Sequence, residues 1–296
     1  MHSIYSQSKS VLFVVFINFF VSCCEIVGGL LSGSLLLVSD ALHNLSDSMS
    51  AIFSYIAITL SRKKADKKYT FGYARAEILA AFVNSGVLFI VTLYIIYEAI
   101  LRLISPNKIL PVTMLIFALV SFIGNLLSTI ILYAHSKSSI NMKSTYLHML
   151  GDAVGSFSVI VGAVLIMYLK IYRIDSILTI AISIYLLKES VKLIIKSAKI
   201  LMEASPDSFD LDEIKNTIQS ISEVKNVHHI HTWSISDRDI FLELHIELED
   251  IPLEKTEIIK QKVQNLLKEK GVTHVNIQFE TKGCSSKSIL CEEQIW

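Results

Sequence analysis

The sequence predicts a membrane protein: an all-α six-helix bundle joined to a small cytoplasmic α+β domain with the order α-β-β-α-β. Three observations predict it. The 296 residues are 52% hydrophobic, with a mean hydropathy of +0.53. Six apolar runs, each near the roughly 20 residues that cross a bilayer, fill the first two thirds of the chain. Charge then divides the chain, with 17 Lys/Arg against 10 Asp/Glu up to Ser205 (+7) and 10 against 17 from Pro206 onward (−7). An apolar basic half precedes an acidic, water-soluble one. The expected boundaries are 1–205 for the membrane domain, 206–282 for the soluble domain and 283–296 for a C-terminal tail.

The six runs cover 10–31, 34–60, 78–100, 110–133, 145–169 and 174–195. The first is not expected to be a cleaved signal peptide. It is too long, and Glu25 with Gly28-Gly29 stands where a small-residue cleavage site belongs. A soluble helical protein would not need six such runs. Basic residues set the orientation. The link "SRKKADKKYTFGYAR" after run two carries six of them, Lys137 and Lys143 follow run four, and Lys196 and Lys199 close run six. The opposite loops hold only Arg102, Lys108, Lys170 and Arg173. A multi-pass protein of the cell (inner) membrane with both termini cytoplasmic is expected. Its partner is the lipid bilayer, and no nucleic-acid partner is expected. Cys23 and Cys24 adjoin in run one, and Cys284 and Cys291 lie in a reducing tail, so disulfides are not expected.

Small residues at 28, 29, 32, 124, 128, 151, 155 and 158 allow close helix approach, and Asn84 and Asn125 need interhelical partners. Runs two and five share a spacing, His43-x-x-x-Asp47 and His148-x-x-x-Asp152. Residues four apart lie one turn apart on one helix face. Two such pairs on facing helices supply two imidazoles and two carboxylates, a four-donor set that suits tetrahedral Zn²⁺. The two aspartates also match the charge of a dication, which offsets the cost of charge at membrane depth. Asp40, three residues before His43, is read as an acceptor that orients His43. Glu25 is read as lining an access path.

In the soluble half, Asp207, Asp210 and Asp212 lead into a short helix, "LDEIKNTIQSI". Strands "VKNVHHIHTWSI" and "DIFLELHIELED" follow. In the second, Phe241, Glu243, His245 and Glu247 share one face, while Leu242, Leu244, Ile246 and Leu248 share the other. A helix from Pro252 to Gly271 precedes the last strand, "THVNIQFE". His228, His229, His231, His245 and His274 crowd these strands, with Glu280, Cys284, Cys291, Glu292 and Glu293 beyond. Imidazole and thiolate donors in such number suit Zn²⁺ or Cu(I). The alternative is an ordinary polar sheet face with a frayed terminus.

A metal site buried in a bundle can be structural, catalytic or transient. No HExxH pattern is present, and a structural zinc favours thiolates. His and Asp ligands load and unload in competition with protons, which favours metal–proton exchange by alternating access. The chain also resembles the cation diffusion facilitators, in their zinc/cadmium/cobalt-type efflux branch. "GGLLSGSLLLVSDALHNLSDSMS", "YTFGYARAEILAAFVNS", "HMLGDAVGSFSVIVGA", "LMEASP" and "VHHIHTWSI" carry the likeness along almost the whole chain.

That resemblance implies a homodimer with a metallochaperone-like soluble domain and proton-driven export of Zn²⁺, with Cd²⁺, Co²⁺ or Fe²⁺ as alternatives and H⁺ as counter-ion. It implies transport ligands His43, Asp47, His148 and Asp152, with a histidine first in the set tied to zinc preference. It further implies zinc held in the soluble domain by His228, His245 and Glu280, with His274 joining them. It pairs Arg75 with Glu203 or Asp207 in a charge interlock. Tyr69 and Tyr73 replace histidines that some members use for a further zinc, so that site is not expected here. Two readings of another class stay open: an intramembrane metalloenzyme, which needs a vacant coordination position and a base, and a membrane-anchored metal sensor working through its tail.

Overall fold

The computed structural model describes residues 2–61, 65–133, 140–207, 209–236, 239–281 and 289. Two compact units emerge, Met1–Thr59 with Ala80–Ile194, and Leu60–Leu79 with Ile195–Trp296. Each predicted run becomes a helix. These are α1 (His2–Ser32), α2 (Leu35–Ser61), α3 (Arg75–Ile104), α4 (Pro111–Tyr133), α5 (Ile140–Leu169) and α6 (Arg173–Leu201). Most of them reach past the apolar run that predicts them, because a helix continues into polar ends where sequence hydropathy stops. Among the described residues, four stretches are long and apolar enough to cross a membrane: Leu12–Ser32, Arg75–Ile104, Pro111–Tyr133 and Thr145–Leu169. Helices α2 and α6 fall short because they carry the polar groups, Asp40, His43 and Asp47 on one and seven charged residues on the other.

Polar α2 is nonetheless central to the first unit. Leu36 and Leu37 are fully buried among Met114 and Ala118 of α4 and Val159, Ala163 and Ile166 of α5, with Leu178 and Ile182 of α6 packed alongside. Glycines permit close approach between α1 and α4: a Cβ on Gly28 or Gly124 would land 2.3–2.4 Å from the Phe117 or Val21 side chain. Gly151 differs from expectation, since nothing lies within 4 Å of the position its Cβ would take.

One buried charge was not singled out from sequence. Asp175, wholly buried near the start of α6, accepts from the Ser34 hydroxyl at 2.5 Å and from the Leu35 and Leu36 N–H groups at 3.0 and 3.4 Å. It satisfies the orphan donors that every helix N-terminus leaves, here those of α2. Asn84 of α3 donates to Ser46 and Ser50 of α2 at 3.0 and 2.9 Å, the interhelical partners its burial requires.

The second unit contains the predicted α-β-β-α-β order as α7 (Leu211–Gln219), β1 (Val224–Ser234), β2 (Ile240–Leu248), α8 (Leu253–Glu269) and β3 (Val272–Glu280). The sheet order is β1-β2-β3, with β1 antiparallel and β3 parallel to β2. Asp210 caps α7, accepting from the N–H groups of Asp212 and Glu213. The alternation read in β2 is observed: Leu242, Leu244, Ile246 and Leu248 are buried with Val227, Ile230, Ile214, Ile218, Ile259, Val263 and Leu267. That apolar face leaves Glu243, His245 and Glu247 to the other side.

Candidate metal sites

Two clusters of metal-ligating side chains lie in the described residues. The first joins α2 and α5. One donor atom each from His43, Asp47 and Asp152 lies within 4.8 Å of the other two. His43 Nε2 is 3.6 Å from Asp47 Oδ2 and 3.5 Å from Asp152 Oδ1. His148 approaches from outside, with Nε2 at 3.1 Å from Asp47 Oδ2 and 3.9 Å from Asp152 Oδ2. Its ring centre stays 6.1 Å from that of His43. The helix period thus brings all four expected residues to one place, three tightly and His148 at the rim. Asp152 is 3% exposed and His148 47%, so the set runs from buried to open. Asp152 Oδ2 has no hydrogen-bond partner among the described residues, which leaves a lone pair free for a cation.

Asp40 takes its hydrogen bond from another helix. Its Oδ2 accepts from the Ser156 hydroxyl of α5 at 2.9 Å, and Glu25 lies beside it. Asp40 itself makes no hydrogen bond to the His43 ring among the described residues. Three residues back along a helix shares a broad face, but it also turns the side chain by about 60°. Here that rotation carries Asp40 toward Ser156. Glu25 is wholly buried and accepts from Asn44 Nδ2 at 3.1 Å, so it faces neighbouring helices in this structure.

The second cluster is built by strand register. His228 of β1 sits opposite His245 of β2, and Glu280 of β3 sits opposite Glu247, a diagonal step from His245. His245 Nδ1 lies 2.7 Å from Glu280 Oε1, and His228 Nε2 lies 3.3 Å from Glu280 Oε2. A bulge between His228 and His231 places His229 at φ +51°. Such a bulge re-aims side chains, and it stacks the His229 ring on His245 at 4.5 Å. Burial, with His229 alongside, holds the His231 imidazole below its ordinary range.

These donors fit a resident metal ion. His228 Nδ1 and Nε2, His245 Nδ1 and Glu280 Oε2 are buried with no hydrogen bond among the described residues, despite their close approach. Orphaned buried polar atoms are costly, and a cation held between them would remove that cost.

Other expected residues fall elsewhere. His274 lies on the same strand as Glu280 but six residues away, about 20 Å at 3.3 Å per residue. Its ring packs against Phe241 at 4.9 Å, away from the cluster in the same chain. Arg75 pairs with Glu203 at 2.6 Å, whereas Asp207 pairs with Lys199 at 2.7 Å, so of the two expected partners it is Glu203 that meets Arg75. Around Tyr69 and Tyr73 the link closes on itself. Asp66 accepts from the Tyr69 and Lys68 N–H groups and from the Tyr73 hydroxyl, which together hold its carboxyl below the usual range. Cys284 and Cys291 lie outside the described residues.

Comparison with known proteins agrees in both halves. Residues 11–202 match the cation efflux transmembrane domain, and residues 206–282 match the cation efflux protein cytoplasmic domain. The chain is 37% identical to a cadmium, cobalt and zinc/H(+)-K(+) antiporter of Bacillus subtilis, over 97% of this chain and 94% of that protein. It is 37% identical to the metal cation efflux system protein CzcD of Cupriavidus metallidurans, over 88% and 82% of the two. Identity to the zinc transporter ZitB of Escherichia coli is 34%, over 88% and 83%.

Proposed function

The chain belongs to the cation efflux family, a family of transporters rather than enzymes, and from that premise we propose that it exports Zn²⁺ in exchange for protons. Cd²⁺, Co²⁺ and Fe²⁺ are the competing cargoes. His43, Asp47, His148 and Asp152 are the transport ligands, and alternating access carries the ion across the inner membrane, with both termini cytoplasmic. The observation that carries this reading is the convergence of two i, i+4 His/Asp pairs from α2 and α5 on one spot.

Imidazole and carboxylate suit a cargo that must leave again. Both bind metal only when deprotonated, so protons arriving at the site compete the ion away. Histidine is the side chain whose ordinary range spans neutral pH. The open rim at His148 is where the coordination shell can be completed and broken. With Asp152 buried and His148 exposed, the ion exchanges its ligands one at a time. In the soluble domain, His228, His245 and Glu280 would hold a resident Zn²⁺, in a homodimer of the chain.

The test is competitive uptake in proteoliposomes, with Zn²⁺ against Cd²⁺, Co²⁺ and Fe²⁺, at several imposed pH gradients. Zinc flux should win the competition and rise with the proton gradient. Flux indifferent to that gradient would remove proton exchange. His43→Asp should widen the ion range toward Cd²⁺, and an unchanged order would remove His43 as the discriminating ligand.

A further inference from the structure

One turn along α2 from the transport ligands lies a second polar cluster with a different donor chemistry. Glu25 (α1), Asp40 and Asn44 (α2), Ser121 and Asn125 (α4) and Ser156 (α5) are all at most 4% exposed. They form a chain of contacts. Asn44 Nδ2 donates to Glu25 Oε2 at 3.1 Å, and Asp40 and Ser121 lie beside Glu25. The Ser156 hydroxyl donates to Asp40 Oδ2 at 2.9 Å, Asn125 Nδ2 donates to Ser156 Oγ at 2.9 Å, and the Ser121 and Ser156 hydroxyls meet at 3.0 Å.

The cluster is short of positive partners. Glu25 Oε1, Asn44 Oδ1 and Asn125 Oδ1 are buried and have no hydrogen-bond partner among the described residues. Neither carboxylate forms an ion pair with Lys or Arg among those residues. Three orphan acceptors on three helices and two adjacent carboxylates make a costly arrangement at membrane depth. A proton between the carboxylates would satisfy one of those oxygens. A water would satisfy two but leave the charge. A cation accepts several lone pairs at once and removes the charge.

We propose that Glu25, Asp40, Asn44 and Asn125, with Ser121 and Ser156, form a second intramembrane site that takes a hard alkali or alkaline-earth cation. Every donor is oxygen, the choice of K⁺, Na⁺ or Mg²⁺ rather than of an ion that seeks imidazole. The site shares helices with the His/Asp centre. Asp40 and Asn44 each stand three residues before a ligand of α2, and Ser156 stands four after Asp152, a displacement of about one 5.4 Å turn. An ion here and an ion there pull on the same two helices.

The experiment is thermal unfolding of the full chain in detergent, with KCl, NaCl or MgCl₂ against choline chloride at matched ionic strength. An ion at concentration c that binds only the folded state stabilises it by RT ln(1 + c/Kd), a quantity that climbs once the ion exceeds its Kd. At least one of the three salts should raise the melting midpoint by several degrees over choline. The shift should vanish in Glu25→Gln and Asp40→Asn and survive in His148→Ala. Asn125→Ala, which removes one oxygen and no charge, should raise by about tenfold the salt concentration at which the midpoint begins to climb. If Glu25→Gln or Asp40→Asn does not yield folded protein, that Asn125→Ala displacement decides the matter. A wild-type midpoint that ignores all three salts overturns the proposal, as does a shift that persists in both carboxylate variants or a salt dependence untouched by Asn125→Ala. Missing zinc flux in wild-type vesicles would count against the transport reading and leave these shifts unaffected.

Discussion

The two imidazole–carboxylate centres use the same donor chemistry on opposite kinds of scaffold. His43, Asp47, His148 and Asp152 hang from two helices that touch through side chains, and their exposure spans 3% to 47%. His228, His245 and Glu280 hang from three strands laced by backbone hydrogen bonds, and none is more than 14% exposed. A helix pair can slide or rock at small cost, because only side-chain packing changes. A sheet register cannot shift without breaking its ladder and turning every side chain to the other face. The first scaffold suits an ion that passes, and the second suits an ion that stays.

The largest expected effect tests that division directly. Asp152→Ala or Asp47→Ala should lower zinc flux in proteoliposomes by at least about 100-fold. Loss of groups that merely support a metal ligand already costs 10–100-fold, and these are read as ligands. His228→Ala with His245→Ala should leave most of that flux in place and remove about one equivalent of tightly bound zinc per chain, read by equilibrium dialysis. Flux that collapses equally in both sets of variants would break the comparison. The soluble centre would then be part of the transport path.

How much of this was legible beforehand differs between the scaffolds for the same physical reason. In a helix the neighbour of residue i is i+4, so His43 with Asp47 and His148 with Asp152 could be read from spacing alone. In a sheet the neighbours are set by register, which spacing does not encode. Glu280 therefore stood out only through the family likeness, and His274, equally plausible by type, lies far along the strand against Phe241. Asp40 shows the limit even in helices, since a residue three positions away shares a face broadly enough to contact Ser156 instead of His43. Asp175 went unnoticed because its partners are backbone N–H groups of α2, about 140 residues away in sequence, and no side-chain pattern marks a backbone donor.

A smaller effect sharpens the claim that the sheet holds its ion by rigidity. Ile246 is fully buried on the apolar side of β2, next in sequence to His245. Ile246→Ala should destabilise the soluble domain by about 2–5 kcal/mol, the usual cost of emptying such a position, measured by urea unfolding with zinc removed. Zinc affinity at the soluble centre should fall with it, while flux through the helix site persists. If zinc affinity held firm, the register would not be what fixes those donors.

The smallest expected effect concerns the ion pair between the first residue of α3 and the segment after α6. Arg75 and Glu203 meet at 2.6 Å, but their side chains are 39% and 58% exposed. Exposed pairs of this kind contribute about 0.2–1 kcal/mol, since water screens the attraction and two long side chains lose freedom. A double-mutant cycle of Arg75→Ala and Glu203→Ala, read by melting in low salt, should return a coupling in that range that fades as salt is added. Flux in either single variant should stay near that of the unaltered chain. The geometry alone does not make the pair an interlock, because a bond this exposed is strong only where lipid or a second chain excludes water from it. A coupling well above 1 kcal/mol in the membrane-embedded dimer, with the ordinary value in detergent, would show that such shielding is present. The same result would make this contact, rather than either metal centre, the place where motion of the helices is restrained.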